Sequence, residues 1–138
     1  MTQMNLTPGA EIPAFVRKQD FDAWNRYAAV NDEFVPIHMD DGPGREAGFP
    51  TAIGMGNLAW AYLHNMLRAW LGDAGEIRKI SVSYRQPNLR KSTVATHGKI
   101  TQVTAGAAGS EVELDLWVDD DAGRVLMNGQ ATVTVRAR

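Results

Sequence analysis

The chain contains no cysteine. That removes disulfides, thiolate nucleophiles and cysteine-based zinc sites together, and it fits a reducing cytoplasm. Histidine is scarce too: His38, His64 and His97 are the only three. They lie too far apart in sequence to read as clustered metal ligands, so no metal is expected. Basic residues are not in excess. The net charge is −2 with both signs spread along the chain, which leaves no basic stripe for nucleic acid. Long hydrophobic runs are missing as well. The longest apolar-rich stretch, Leu58 to Leu71, is interrupted by Asn65 and Arg68 and is too short and polar for a bilayer. The polar opening MTQMNLTPGAEIP has no apolar segment of the kind a secretion signal needs. No internal repeat or low-complexity run is present. The acidic run Asp119 to Asp121 lacks the glycine and ligand order of an EF-hand loop and reads as a solvated turn.

What is present is enough for one domain spanning residues 1–138, with 44% hydrophobic residues to build a core. The first half carries helix and loop signals, the second half strand signals. Asp20 is a suitable N-cap for a helix from about Phe21 to Val30, where Phe21, Trp24 and Ala28 recur at helical spacing. Three glycines and two prolines between Asp40 and Pro50 predict a winding segment with at most short helix. A long helix is predicted from about Gly56 to Leu71. Ala59, Leu63, Met66, Leu67 and Trp70 fall on one stripe, Trp60 and Tyr62 widen it, and Gly72 is placed to be the left-handed residue that ends it.

Strands follow. Ile80, Val82 and Tyr84 alternate with polar neighbours, Pro87-Asn88 turns the chain, and Thr93 to Val103 is a second β-prone run. Val112, Leu114, Leu116 and Val118 alternate with Glu111, Glu113, Asp115 and Trp117. Gly129 to Arg138 closes the chain. Successive short connections point to antiparallel pairing, with the long helix covering one face of the sheet. The expected fold class is therefore α+β.

The segment from Tyr27 to Asp41 carries the chemistry. A carboxylate and His38 stand a few residues apart on a loop after a helix, with Pro36 stiffening the chain between them. Histidine titrates near neutrality, so such a pair is suited to positioning a water and moving its protons. Further on, Gly54-Met55-Gly56 leads straight into the long helix. Backbone N–H groups at a helix start are free donors, and glycine lets a substrate approach them. The three glycine-flanked residues follow no strand with a phosphate-loop pattern, so nucleotide binding there is discarded.

These residues resemble the MaoC-like, (R)-specific enoyl-CoA hydratase family. Its pattern is Gly-Asp-x-Asn-Pro-Ile/Leu-His-x-Asp, then eight residues on Gly-Phe-Pro, then Ala-His-Gly-Met. This chain has Asp32-Glu33-Phe34-Val35-Pro36-Ile37-His38-Met39-Asp40, then Gly48-Phe49-Pro50, then Gly54-Met55-Gly56-Asn57, without a gap from His38 to Gly56. Pro8 to Pro13 resembles the family's opening, and Tyr84-Arg85-Gln86-Pro87 followed by Thr93 resembles its Arg/Pro strand and turn. The resemblance implies a single hot-dog domain, an antiparallel β-sheet wrapped around a long central helix. It implies addition of water to a trans-2-enoyl thioester, or the reverse, with no cofactor beyond the CoA thioester that is the substrate. His38 and a carboxylate would hold the water, Gly56 N–H would polarise the thioester carbonyl, and Met55, Gly54 and Arg85 would flank the substrate.

The match departs from the family at four positions. The family's aspartate is Glu33, its glycine is Asp32, its asparagine is Val35 and its second histidine is Met55. Glutamate adds a methylene, a shift of about 1–1.5 Å, and misplacement of that size is worth about 100-fold in rate. Two carboxylates are thus candidates: Glu33 first, and Asp32 in a shifted loop second. The resemblance also implies assembly as a homodimer or higher homo-oligomer, or as a heterodimer with another hot-dog chain. In that last case this subunit need not be catalytic. An acyl-CoA thioesterase is a further alternative. Arg85, Arg90 and Lys91 read either as a site for CoA phosphates or as an exposed turn. His64 reads as a polar-face or interface residue and His97 as a surface residue.

Overall fold

The computed structural model describes residues 4–137. Met1 to Gln3, in the polar opening, and Arg138, the last residue of the closing segment predicted from Gly129, lie outside the described residues. In chain order the elements are β1 (Phe15–Gln19), α1 (Phe21–Asn31), α2 (Pro36–Met39), α3 (Asp41–Glu46), α4 (Gly56–Leu71), β2 (Gly75–Tyr84), β3 (Ser92–Gly106), β4 (Gly109–Asp120) and β5 (Val125–Arg136). The strands form one five-stranded sheet in the order β1-β3-β4-β5-β2, antiparallel throughout. The sheet curls around α4, which is the hot-dog arrangement. Among the described residues no helix is long and apolar enough to cross a membrane.

The core lies between α4 and the concave face. Leu63, Met66 and Leu67 pack with Val94, Ile100, Val112, Leu114, Leu116, Val118 and Val133, all nearly or wholly removed from water. The alternation in β4 carries this: Val112, Leu114, Leu116 and Val118 point inward, while Glu111, Glu113 and Asp115 are exposed. Burial of one such side chain stabilises the fold by about 1.5–3 kcal/mol relative to leaving it in water.

The predicted helices stand. α1 starts where Asp20 accepts from the Phe21 amide, and buries Trp24 and Ala28 one turn apart. α4 has the predicted bounds, and Gly72 ends it with positive φ, though with an extended ψ rather than the left-handed helical one. Trp60, expected on the buried stripe, is instead 39% exposed, and Trp70 is only partly buried; Tyr62 and Leu71 complete the stripe. Tyr84, expected to face inward with Ile80 and Val82, is 56% exposed at the end of β2. β2 begins at Gly75, before the alternation becomes visible in sequence. β1 had no apolar alternation to announce it. Its one fully buried residue is Gln19, a polar side chain that the fold satisfies internally.

Candidate active site

Three consecutive backbone amides build one wall of a cleft at the end of the sheet. Ala52 N–H donates to Asp41 Oδ1 (2.9 Å), Ile53 N–H to the Ile37 carbonyl (3.0 Å) and Gly54 N–H to the Asn88 carbonyl (2.7 Å). Each partner comes from a different segment, so this stretch is fixed from three sides. Gly54 is a glycine because a Cβ there would meet Asn88 Nδ2 at 2.8 Å and the Trp24 ring at 3.0 Å. Beneath it lies a buried hydrogen-bonded network. Trp24 Nε1 and Asn88 Nδ2 both donate to Gln19 Oε1, Gln19 Nε2 donates to the Tyr62 hydroxyl, and Ser92 donates to Asn88 Oδ1.

His38 is held by this wall. It sits on α2, a single helical turn opened by Pro36 at its first position, rather than on a loop. Its Nδ1 lies 2.7 Å from the Ile53 carbonyl oxygen. A carbonyl only accepts, so Nδ1 carries the proton. The neutral ring then presents an unprotonated Nε2, the form required of a general base.

The cleft is about 330 Å³ and is lined by His38, Gly54, Met55, Gly56 and Arg85 of the predicted set. Its other walls are mostly apolar: Phe49, Ile53, Ala59, Leu126 and Met127. Gly56 is the first residue of α4, whose start has no side-chain cap. The Met55 carbonyl accepts from Leu58 and Ala59, while the Gly56 amide has no acceptor among the described residues. A free donor at the positive end of a helix favours developing negative charge. Met55 itself is buried. Arg85 is exposed at the mouth, its Nε donating to Asn128 Oδ1 at 3.0 Å.

The two candidate carboxylates are placed differently. Asp32 is the left-handed residue that ends α1 (φ 53°, ψ 42°), its amide closing onto the Ala28 carbonyl, and its side chain is exposed. A left-handed turn explains why a glycine suits this position, and aspartate is among the few other residues that tolerate it. Glu33 is half-buried, also with its amide on the Ala28 carbonyl. Neither residue lines the cleft of the single chain. Glu33 nevertheless acts on its wall. The Tyr84 hydroxyl is pushed above the usual phenol range by partial burial and then by the negative charge of Glu33. Tyr27 is raised by burial and then by the same carboxylate.

Tyr84 and Asn88 are site residues that sequence reasoning passed over. The Tyr84 ring covers Gly56, and its hydroxyl makes a long contact to Asn57 Oδ1 (3.5 Å). Its place in the Tyr-Arg-Gln-Pro run was the available signal. Arg90, read either as a phosphate ligand or as part of an exposed turn, is committed elsewhere: it bridges Asp20 and Asp41 at 2.8 Å each and lies over the Phe21 ring. His64 is half-buried beside Trp60, its Nδ1 on the Trp60 carbonyl. His97 is only partly at the surface, stacked on Trp117 and bonded to Asp119. No group of three histidine, aspartate or glutamate residues is placed to hold a metal among the described residues.

Comparison with known proteins assigns this fold to a hydratase/dehydratase family. The MaoC like domain model matches residues 4–122. The chain belongs to this family. Among solved structures, the (R)-hydratase from A. caviae involved in PHA biosynthesis superposes with a TM-score of 0.83 at 19% identity, covering 96% of this chain and 99% of that one. The R-hydratase PhaJ1 from Pseudomonas aeruginosa gives 0.84 at 16% identity, over 96% and 84%. The ChsH1-ChsH2 complex from Mycobacterium tuberculosis gives 0.82 at 17%, over 94% and 98%. No curated protein matches the sequence significantly.

Proposed function

We propose that the chain hydrates trans-2-enoyl-CoA to the (R)-3-hydroxyacyl-CoA, or catalyses the reverse dehydration, with His38 and Glu33 as its acid/base pair. The observation that carries this is the His38 Nδ1 bond to the Ile53 carbonyl, which leaves Nε2 free to act as a base in the cleft that the free Gly56 amide also lines. In the hydration direction a water held by His38 Nε2 and Glu33 attacks C3 of the enoyl group. One of the pair takes the proton this water loses, and a proton is delivered to C2. Charge that builds on the thioester oxygen meanwhile is met by the Gly56 N–H. The apolar cleft walls take the acyl chain. Glu33 is preferred to Asp32 because its charge reaches Tyr84 on the cleft wall, while Asp32 serves as the cap of α1.

The working unit we propose is a homodimer built on the free edge of β2, with exposed Trp60 on the neighbouring helix face. Phe34 and Val35, beside the catalytic turn, are 57% and 44% exposed, which favours a covering subunit there. A second reading is a non-catalytic subunit of a two-chain hydratase. Val35 and Met55, apolar where the family motif is polar, favour it. The fold is also shared with chains of the ChsH1-ChsH2 and HadBC complexes. Loss of the enoyl-thioester absorbance on mixing the purified chain with crotonyl-CoA, abolished in His38→Ala, supports the catalytic reading. No loss with short, long or branched enoyl-CoA, from a folded chain, refutes it in favour of the subunit reading. Release of free CoA thiol instead would make the protein a thioesterase.

A further inference from the structure

The outer face of the sheet carries a second concavity, of about 620 Å³, lined by Ser81, Ser83, Arg85, Asp115, Trp117 and Asn128 among others. Arg85 belongs to both this groove and the catalytic cleft, so the two meet at the rim of the sheet. We propose that this groove receives the nucleotide moiety of the CoA thioester, with the adenine against Trp117 and the diphosphate at Arg85. The proposal rests on the hydratase reading and deepens it: it makes the substrate a CoA ester rather than an ester of a carrier protein.

The strand register orders the groove. Ser83 pairs with Asn128 and Asn128 with Trp117; two residues further on, Ser81 pairs with Gln130 and Gln130 with Asp115. Arg85 lies at the cleft end and Asp115 at the far end, about 13 Å along the strand at about 3.3 Å per residue. A diphosphate therefore meets the cation nearest the cleft, where the pantetheine arm crosses the rim. The exocyclic amine of adenine meets the carboxylate. Reversing the ligand would set phosphate against Asp115.

The aromatic platform is prepared in advance. His97, on β3, stacks on Trp117 at 5.1 Å between centroids and 15° between planes, and its Nε2 sits 2.8 Å from Asp119. No β3 residue lines the groove, so it lies on the other side of the indole, toward β5. A ring already held on one side loses little freedom when a base stacks on the other. Asn128 likewise holds Arg85 through Nε, leaving the terminal guanidinium nitrogens for phosphate. Two other cations near the cleft mouth are spent. Arg124 is tied to Asp120, Gln86 and the Pro87 carbonyl, and Arg90 to Asp20 and Asp41. An acidic carrier protein would need several unpaired cations there. A nucleotide needs one cation and one ring.

The test compares kcat/KM for crotonyl-CoA with that for crotonyl-pantetheine, which lacks the nucleotide. The chain should prefer the CoA ester about tenfold or more, the usual worth of a base stacked on an aromatic ring. Trp117→Ala, and Ser83→Glu with a negative charge at an exposed position, should each shrink that preference through KM. Equal rates on the two esters in the unaltered chain, or a preference untouched by both variants, overturns the proposal. If neither ester is hydrated, the hydratase reading has failed and the groove is judged by titration with ADP alone. Binding that Trp117→Ala removes supports the nucleotide site, and no binding refutes it.

Discussion

Replacing Gly56 by alanine separates the fold from the chemistry. A Cβ at this position would stand 2.6 Å from Tyr84 Cε1 and 3.1 Å from Cδ1 and Cζ. The ring must retreat by about an ångström to regain ordinary carbon–carbon contact of about 3.5 Å. It has room to do so, because Tyr84 is 56% exposed and no backbone atom is among the atoms in closest contact. Alanine also favours helix over glycine by up to ~1 kcal/mol. The two effects oppose each other, so Gly56→Ala should melt within about 5 °C of the unaltered chain. Catalysis should respond differently. The thioester oxygen has to come within about 3 Å of the residue 56 nitrogen. The new methyl group and the displaced phenol both crowd that approach. A loss of 10- to 100-fold in kcat/KM for crotonyl-CoA is expected, about 1.4–2.7 kcal/mol of transition-state stabilisation. Gly129→Ala is the contrasting control. Its Cβ would lie 1.9 Å from the Ser81 carbonyl oxygen and 2.7 Å from Val82 Cα, both backbone, so that variant should lose several kcal/mol of stability or fail to fold. A folded Gly56→Ala chain with kcat/KM within twofold of the unaltered one would refute the placement of the carbonyl donor.

His38→Ala should lower hydration by about 100- to 10,000-fold with little change in melting temperature, since His38 is only half-buried; stopped-flow absorbance and a thermal melt check both halves. Asp32→Gly should keep activity and gain about 0.5–1 kcal/mol, because glycine adopts the left-handed turn without strain, whereas Glu33→Gln should lose activity; the opposite pattern would make Asp32 the working carboxylate. The Arg90 clamp predicts an acid dependence. Asp20 is held below its ordinary range by its hydrogen bond from Arg90 and then by the Phe21 amide, and Asp41 by the Ala52 amide and then by Arg90. Carboxylates with lowered folded pKa values stabilise the fold above their unfolded pKa of about 4, and that contribution fades as pH falls further. Arg90→Ala should therefore make the melting temperature fall less steeply below about pH 4, read by circular dichroism across pH.

The long helix and the last three strands were legible because their own residues decide them. α4 carries an apolar stripe between two glycines, and β4 alternates strictly, so local periodicity names the buried face. The exceptions share a cause. Gln19 is wholly buried yet polar, and only Trp24, Tyr62 and Asn88, brought from three other segments, make that tolerable. A rule that looks for apolar alternation passes over β1 for this reason. The site divides the same way. His38, Gly54 and Gly56 were found through short, ungapped spacing, while Asn88 and Tyr84 reach the cleft only because β2 and its following turn dock against the Ile53–Gly54 segment. Val35 and Met55 look in sequence like losses of polar function. In the fold Met55 is buried in the cleft wall, and the amides around it are held by Asp41, Ile37 and Asn88. Among the described residues no buried side-chain nitrogen or oxygen is left without a partner. The polar groups that fix the His38 anchor thus come from Ile37 and Asp41 beside it and from Asn88 in the turn after β2. Departures at Val35 and Met55 therefore leave the geometry of His38 and Gly56 intact, and it is the reach of the Glu33 carboxylate toward the water that decides whether this subunit is catalytic.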